Sequence, residues 1–252
     1  MTPSYGLQGR AAVVTGATRG IGLAVARALA YAGARVCVSA RDAEGVRRAA
    51  RELDGVGLAG DVGDPGHPAE LTRLCLDTFG RIDVLVNNAA TNQPYGPLVD
   101  ADPLSWREAF AVNVEAPLRL VQCAWRGWMR EHGGTVVNVC TEGAGHVGPN
   151  VGAYGTSKAA LLHLTRQLAG ELGPGVRVNS VSPGLVRTRM ARFVWEPGEA
   201  EIARGLPLGR IGEPGDVAGA VLWLCSDAAR WITGADLLVD GGTSVRRARP
   251  AT

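Results

Sequence analysis

Lysine is almost absent from this chain of 252 residues: among its 26 basic side chains Lys158 is the one lysine, and the rest are arginine. A coding bias towards arginine accounts for the others but not for the exception. An ammonium offers a compact, rotatable charge that a planar guanidinium does not. A surplus of one charge is lacking too: 26 basic and 24 acidic residues leave a net charge of +2, without the basic stripe of a nucleic-acid-binding protein. No apolar run approaches the roughly 18 residues of a membrane span. Neither nucleic acid nor membrane is therefore expected as a partner. The five cysteines (Cys37, Cys75, Cys123, Cys140, Cys225) are scattered, with no C-x-x-C pair. That argues against zinc and disulfide frameworks, leaves no metal site to expect, and reads as buried thiols in a reducing cytoplasm. The stretch Met1–Gly9 has neither the charged nor the apolar region of a secretory signal.

What is present is enough apolar material, 46% of residues against 20% charged, for a sizeable core. Short β-branched runs alternate with helical patterns from end to end. Strands are expected at Ala11–Thr15, Arg35–Ser39, Val84–Asn87, Thr135–Cys140, Arg177–Val181 and Leu237–Val239, with a weaker one at Val56–Ala59. Helices are expected at Ile21–Ala32, Ala43–Leu53, Glu70–Phe79, Trp106–Arg130, Tyr154–Leu172 and Asp216–Leu224. Near-continuous apolar strands separated by helices indicate a parallel sheet covered on both faces. Right-handed crossovers make it a doubly wound, seven-stranded Rossmann-type α/β fold, in one domain over residues 1–252. The stretch 190–207, with Phe193, Val194 and Trp195 ahead of Glu196–Glu201, breaks the alternation and reads as a flexible lid over a site. The basic tail 246–252 reads as frayed.

The first strand runs into Thr15-Gly16-Ala17-Thr18-Arg19-Gly20-Ile21-Gly22 and then a helix. Glycines at a strand-to-helix turn let backbone approach a pyrophosphate, which the free N–H groups and dipole of the helix attract. Such a cluster alone is compatible with an ordinary tight turn; its place between a buried strand and an amphipathic helix favours a nucleotide. At the end of the second strand a carboxylate suits a cofactor without a 2′-phosphate, and an arginine suits one with it. Arg41 stands there and, with Arg19, forms a cationic clamp that favours NADP(H), while Asp42 keeps NAD(H) open. Tyr154 and Lys158, four residues apart, share one helix face. A phenol is a poor acid–base group at neutral pH unless a nearby cation stabilises its phenolate. With four tyrosines and one lysine in the chain, chance hardly accounts for this spacing.

These motifs, with Asp61-Val62, Asn87-Asn88-Ala89-Ala90, Asn113, Pro183-Gly184 with Thr188, and Ile232-Thr233-Gly234 before Asp240-Gly241-Gly242, resemble the short-chain dehydrogenase/reductase family over essentially the whole chain. Within it the sequence is most similar to the 3-oxoacyl-carrier-protein reductase and carbonyl reductase branch. The resemblance implies an NADPH-dependent reduction of a ketone, a 3-oxoacyl thioester or another carbonyl compound, to a secondary alcohol. Tyr154 would exchange the proton with the substrate oxygen. Lys158 would hold the nicotinamide ribose and lower the Tyr154 pKa. Asn113 would kink its helix and anchor a water in a proton relay. Gly16, Thr18, Arg19, Gly20, Ile21 and Gly22 would meet the cofactor, Asp61 and Val62 its adenine, and Asn88 with Ala89 the adenosine ribose region. Val186 would offer backbone to the carboxamide and Thr188 a hydroxyl nearby, with Pro183 and Gly184 in the same cofactor-binding set. The resemblance also implies a homotetramer and, for a thioester substrate, an acyl carrier protein as partner.

Two positions depart from the family pattern. Ala90 stands where the family has a glycine, and Thr141, 13 residues before Tyr154, stands where it has a catalytic serine. Threonine keeps the hydroxyl donor but stiffens χ1. His146 and Trp195 are weaker candidates for substrate contact, Trp195 equally for packing at a subunit surface, and Arg47, Arg48 and Arg51 read as a solvated helix face. Two other readings stay open: an NAD-dependent secondary-alcohol dehydrogenase on the same site, and a non-catalytic nucleotide-binding subunit of the same fold.

Overall fold

The computed structural model describes residues 5–245, so the expected frayed tail at 246–252 lies outside them, as do residues 1–4. Seven strands are present: β1 (Ala11–Thr15), β2 (Arg35–Ala40), β3 (Val56–Ala59), β4 (Val84–Asn87), β5 (Gly134–Val139), β6 (Val176–Pro183) and β7 (Asp236–Val239). They form one sheet in the order β3-β2-β1-β4-β5-β6-β7, with every pair parallel. The order reverses between β1 and β4, and a doubly wound sheet opens its crevice at the carboxyl ends of strands beside such a reversal.

Alternation along the strands builds two cores. Ala12 and Val14 of β1, Val36 and Val38 of β2, and Val137 and Val139 of β5 face one side. There they meet α1 (Gly20–Tyr31), α2 (Ala43–Glu52) and α10 (Pro214–Cys225). Ala11, Val13, Val136 and Val178 face the other side, against α3 (His67–Phe79), α5 (Ala116–Ala124) and α7 (Gly152–Leu172). Both faces of the central strands β1, β4 and β5 are buried, which is why they read as continuous apolar runs rather than alternating ones.

The helix expected over Trp106–Arg130 is longer and less regular. It starts as α4 (Pro103–Phe110), because Asp102 caps it by accepting from Ser105 N at 2.8 Å and Pro103 suits the first turn. It continues through a wide π turn at Ala111–Glu115, α5, a second π turn at Trp125–Met129 and the short α6 (Arg130–His132). The interrupted stretch 190–207 folds into two short helices, α8 (Arg192–Trp195) and α9 (Glu199–Gly205).

A row of polar side chains crosses the sheet in register: Asn87 of β4 pairs with Asn138 of β5, Asn138 with Ser180 of β6, and Ser180 with Asp236 of β7. Asn87 Nδ2 donates to Asn138 Oδ1 at 2.8 Å, and Asn138 Nδ2 donates to Thr165 Oγ1 on α7 at 2.8 Å. Asp236 accepts from Ser180 Oγ at 2.7 Å and from Ser182 Oγ at 2.8 Å. Groups buried this deeply are costly to leave without partners. Asn138→Leu keeps the branched shape but leaves the Asn87 amide without its acceptor and takes one of two partners from Thr165 Oγ1, which still donates to Leu161 O at 2.8 Å. It is expected to cost about 2–4 kcal/mol of unfolding free energy, read as a lowered urea midpoint with an unchanged m value.

Candidate active site

A cavity of about 790 Å³ opens at the carboxyl ends of the strands. The first turn contributes Gly16, Thr18, Arg19, Gly20, Ile21 and Gly22 to its wall. Arg41 follows β2, Asp61 and Val62 follow β3, and Asn88 and Ala89 follow β4. Thr141 follows β5, Tyr154 and Lys158 come from α7, Pro183 ends β6, and Gly184, Val186 and Thr188 come after it. Every expected site residue except Asn113 therefore borders one space.

The turn between β1 and α1 is tied to the one after β4. Thr15 Oγ1 accepts from both Asn88 N and Ala89 N at 3.0 Å, and Asn88 Nδ2 donates back to Thr15 O at 2.8 Å. Gly16 has a φ of 65°, which a side chain rarely tolerates. A Cβ on Gly22 would collide with Asn88 Nδ2 and Gly16 O, so a glycine is required there for the helix to start against the turn. Ala90, by contrast, needs no glycine: among the described residues the non-glycine positions with positive φ are Asp54 and Asn150.

At the other end of the cavity, Lys158 is 1% exposed and its Nζ donates to Val139 O at 2.7 Å. Burial pushes its ammonium below its ordinary pKa, against a pull upward from the neighbouring Cys140. The same ammonium lies 5.9 Å from the centre of the Tyr154 ring. Burial also raises the Tyr154 phenol above its ordinary value, Cys140 adds to this, and a hydrogen bond with Thr141 works in the opposite direction. The free protein therefore holds Tyr154 as a neutral phenol, a proton donor. Burial pushes the Cys140 thiol up to about 12, so it too stays neutral. Thr141 Oγ1 accepts from Gly143 N at 3.4 Å. That contact uses a lone pair and leaves the hydroxyl hydrogen available.

Asn113 is fully buried, in the first π turn rather than on a helix surface. Its Nδ2 donates to Thr91 O at 2.8 Å and to Ser157 Oγ at 2.9 Å, and its Oδ1 accepts from Thr91 N at 2.9 Å. Both amide hydrogens are thus spent on joining the loop after β4 to α7. Nothing in the sequence near Asn113 signals Ser157 or Thr91 as its partners. Trp195 stands outside the cavity wall and donates from Nε1 to Thr188 O at 3.1 Å, which fastens α8 to the strand β6 exit. Met190, Phe193 and Val194 do line the cavity, and Phe193 meets Tyr95 edge-on with ring centres 5.3 Å apart. Arg187 bridges Glu199 of α9 and Glu213 at the start of α10.

At the β2 end, Arg41 is exposed and reaches Asp61 only at 3.9 Å. Asp42 lines the cavity too, and its Oδ1 caps the first turn of α2 by accepting from Glu44 N at 3.1 Å.

A family model described as enoyl-(acyl carrier protein) reductase matches residues 16–244. The chain belongs to the short-chain dehydrogenase/reductase family. Dehydrogenase/reductase SDR family member 4 of Sus scrofa is 40% identical over 248 residues, which are 95% of this chain and 89% of that protein. A short-chain type dehydrogenase/reductase from Mycobacterium ulcerans superposes with a TM-score of 0.88 at 33% identity, covering 96% of this chain and 92% of that one. Blue fluorescent protein from a metagenomic library, solved in complex with NADPH, gives 0.87 at 33% identity over 95% of this chain and 99% of that one. As a member of this family the chain is an NAD(P)-dependent oxidoreductase.

The donor set fits such a dinucleotide: a helix N-terminus behind a turn with no room for side chains at Gly16 and Gly22, then a long cavity leading to Tyr154. Gly22→Ala is expected to weaken NADPH binding at least about tenfold, or about 1.4 kcal/mol, in a fluorescence titration, with the circular dichroism of the fold retained.

Proposed function

We propose that this protein reduces a ketone to a secondary alcohol with NADPH. The observation that carries the reading is the convergence of Tyr154, Thr141 and Lys158 in the same cavity as the Gly16–Gly22 turn. When bound, the nicotinamide supplies the hydride for the carbonyl carbon. Thr141 donates to the carbonyl oxygen and stabilises the negative charge that develops on it. Tyr154, neutral in the free protein, gives that oxygen its proton. Lys158 holds the nicotinamide ribose and brings a positive charge beneath the phenol, which eases loss of the proton and its recovery from solvent. Asn113 acts as a positioning residue, since it joins the loop after β4 to the helix that carries Tyr154. The apolar flank of Met190, Phe193 and Val194 suits a ketone with an aliphatic or aromatic body, and α8 with α9 serves as its lid.

The preference for NADPH rests on charge. Arg19 and Arg41 line the cavity together with Asp42, the carboxylate that would suit an unphosphorylated ribose and whose Oδ1 accepts from Glu44 N in capping α2; the two guanidiniums outnumber it. The NADPH complex of the metagenomic relative is in keeping with this. The same reading carries a cytoplasmic homotetramer, with acyl carrier protein as partner if the substrate is a thioester. Light scattering at micromolar concentration tests the tetramer.

A panel of 3-oxoacyl thioesters, quinones and simple ketones, followed by NADPH absorbance, tests the activity; no turnover of any of them would refute the reading. Tyr154→Phe is expected to abolish turnover with cofactor affinity nearly intact, and retention of more than about a tenth of kcat would remove Tyr154 as the proton donor. Thr141→Val, which keeps the branch and loses the donor, is expected to lower kcat about 100- to 1,000-fold, or about 3–4 kcal/mol. Thr141→Ser is expected to stay within about tenfold of the parent. In a salt titration NADPH should bind more tightly than NADH, with the gap narrowing at high salt and in Arg41→Ala, because a phosphate–guanidinium contact is screened or removed.

A further inference from the structure

The segment between β6 and α10 leaves the sheet and returns to it at one place. Val186 pairs with Gly212 in a short parallel bridge, Arg187 N donates to Gly212 O at 2.8 Å, and Gly212 N donates to Leu185 O at 3.0 Å. Leu208 N donates to Gly241 O at 3.2 Å and fixes the returning arm, which leaves 188–207, with α8 and α9, as the hinged part. The root of this lid lies against the cofactor turn, since a Cβ on Gly20 would come 3.5 Å from Thr188 Cγ2. Thr188, Met190, Phe193 and Val194 line the cavity, whereas Arg187 and α9 do not. A dinucleotide reaching from Gly20 to Tyr154 therefore lies alongside the lid, and Arg187 acts on the lid from behind.

Arg187 occupies the elbow between the two short helices. Its Nη2 pairs with Glu199 at the start of α9, and its Nη1 pairs with Glu213, the cap residue of α10. Its guanidinium carbon lies 5.9 Å from the centre of the Trp195 ring of α8. Among the described residues, no other hydrogen bond or ion pair joins α9 to a residue outside 195–206. We propose that Arg187 is a positioning residue that latches the lid, so that rupture of its pair with Glu199 sets how fast the bound dinucleotide leaves. One carboxylate comes from the moving side and one from the fixed side. Opening separates Glu199 from a guanidinium that Glu213 keeps in place. The Arg187 side chain is 42% exposed, so salt reaches both pairs and each contributes only a modest factor. Lid opening of this kind governs release in many enzymes.

The inference needs a dinucleotide in the cavity but not the ketone-reductase reading, and its test uses no ketone. The probe is NADPH, whose release is followed by the loss of its fluorescence when excess NADP⁺ displaces it. Arg187→Met keeps the stem beside Trp195 and removes the charge; Glu199→Gln keeps the shape and removes the partner. Release is expected to quicken about three- to tenfold in the first and about two- to fivefold in the second. The sign in Glu199→Gln is decisive. Were these charges acting only through the field of the protein, loss of a negative one would hold an anionic cofactor longer, opposite to Arg187→Met. Hydrogen exchange of the free protein is the second readout. Amides of α8 and α9 are expected to exchange faster in both variants, and in the parent at high salt, while those of β6 and α10 keep their protection. In Arg187→Met, salt should add little. A purely packing role for Arg187 would leave Glu199→Gln and the salt response without effect. Release that is unchanged or slower in Glu199→Gln, or lid exchange indifferent to salt in the parent, overturns the inference and leaves the reductase reading standing. Quickened release in both variants, with no turnover across the ketone panel, overturns the reductase reading alone.

Discussion

A single buried ammonium sets the terms for this site. Taking a lysine out of water is costly unless its hydrogens find acceptors, and the displaced pKa of Lys158 records that cost. Its Nζ meets Val139 O at 2.7 Å, the last carbonyl of β5, so the charge is tolerated only while α7 stays docked on that strand. Tyr154 sits one turn earlier on the same helix and Thr165 two turns later, where its hydroxyl accepts from Asn138 in the same strand. An arginine in place of Lys158 would bring a longer, planar group with five hydrogens into a space that offers a point contact. In a chain that otherwise uses arginine for its basic residues, this is a physical reason for the exception.

The second half of the site hangs on the first through the sheet. The row Asn87, Asn138, Ser180 and Asp236 spans the strands from the cofactor turn side to the far edge, and it is joined to α7 at Thr165. Thr15 and Asn88 then lock the glycine turn to the exit of β4. Asn113 completes the frame by holding Thr91, three residues beyond Asn88, against Ser157, one residue before Lys158. The cofactor end and the catalytic end are thereby parts of one polar framework laid between two dry cores. The loops that do not belong to that framework, around His146 and under α8, are the parts free to vary with substrate.

Much of this was legible in the sequence because it is local. The Tyr154–Lys158 spacing, the glycine turn and the strand–helix alternation each need only a few consecutive residues to be recognised, and the observed strands fall within one or two residues of those expected. What escaped is long-range. Asn113 is singled out only by the family resemblance, and its partners Thr91 and Ser157, 22 and 44 residues away, show nowhere in the sequence around it. Trp195 reads equally as a substrate contact or as packing at a subunit surface, and only the folded segment shows its indole bonded to Thr188 O. Within the long helix the resemblance implies a kink at Asn113 but nothing signals the second π turn at Trp125–Met129, because the same helix-forming residues fill an α turn and a π turn alike.

The π turn at Ala111–Glu115 also constrains the length of the chain. A wide turn holds one residue more than an α turn, so everything beyond it is rotated by about 100° from where an unbroken helix would place it. Ahead of it, Asp102 fixes where the helix begins; behind it, Leu120, Val121 and Ala124 must face the core against Val136 and Leu168. Deleting one residue would turn the stretch from α4 to α5 into plain α-helix, yet it would swing either Asn113 out of the frame or this apolar stripe out of the core. In related chains, single-residue gaps in this stretch should therefore be rare and insertions should come with a compensating loss nearby. The extra residue in the turn behaves as a fixed spacer between the catalytic frame and the packing face of the same helix.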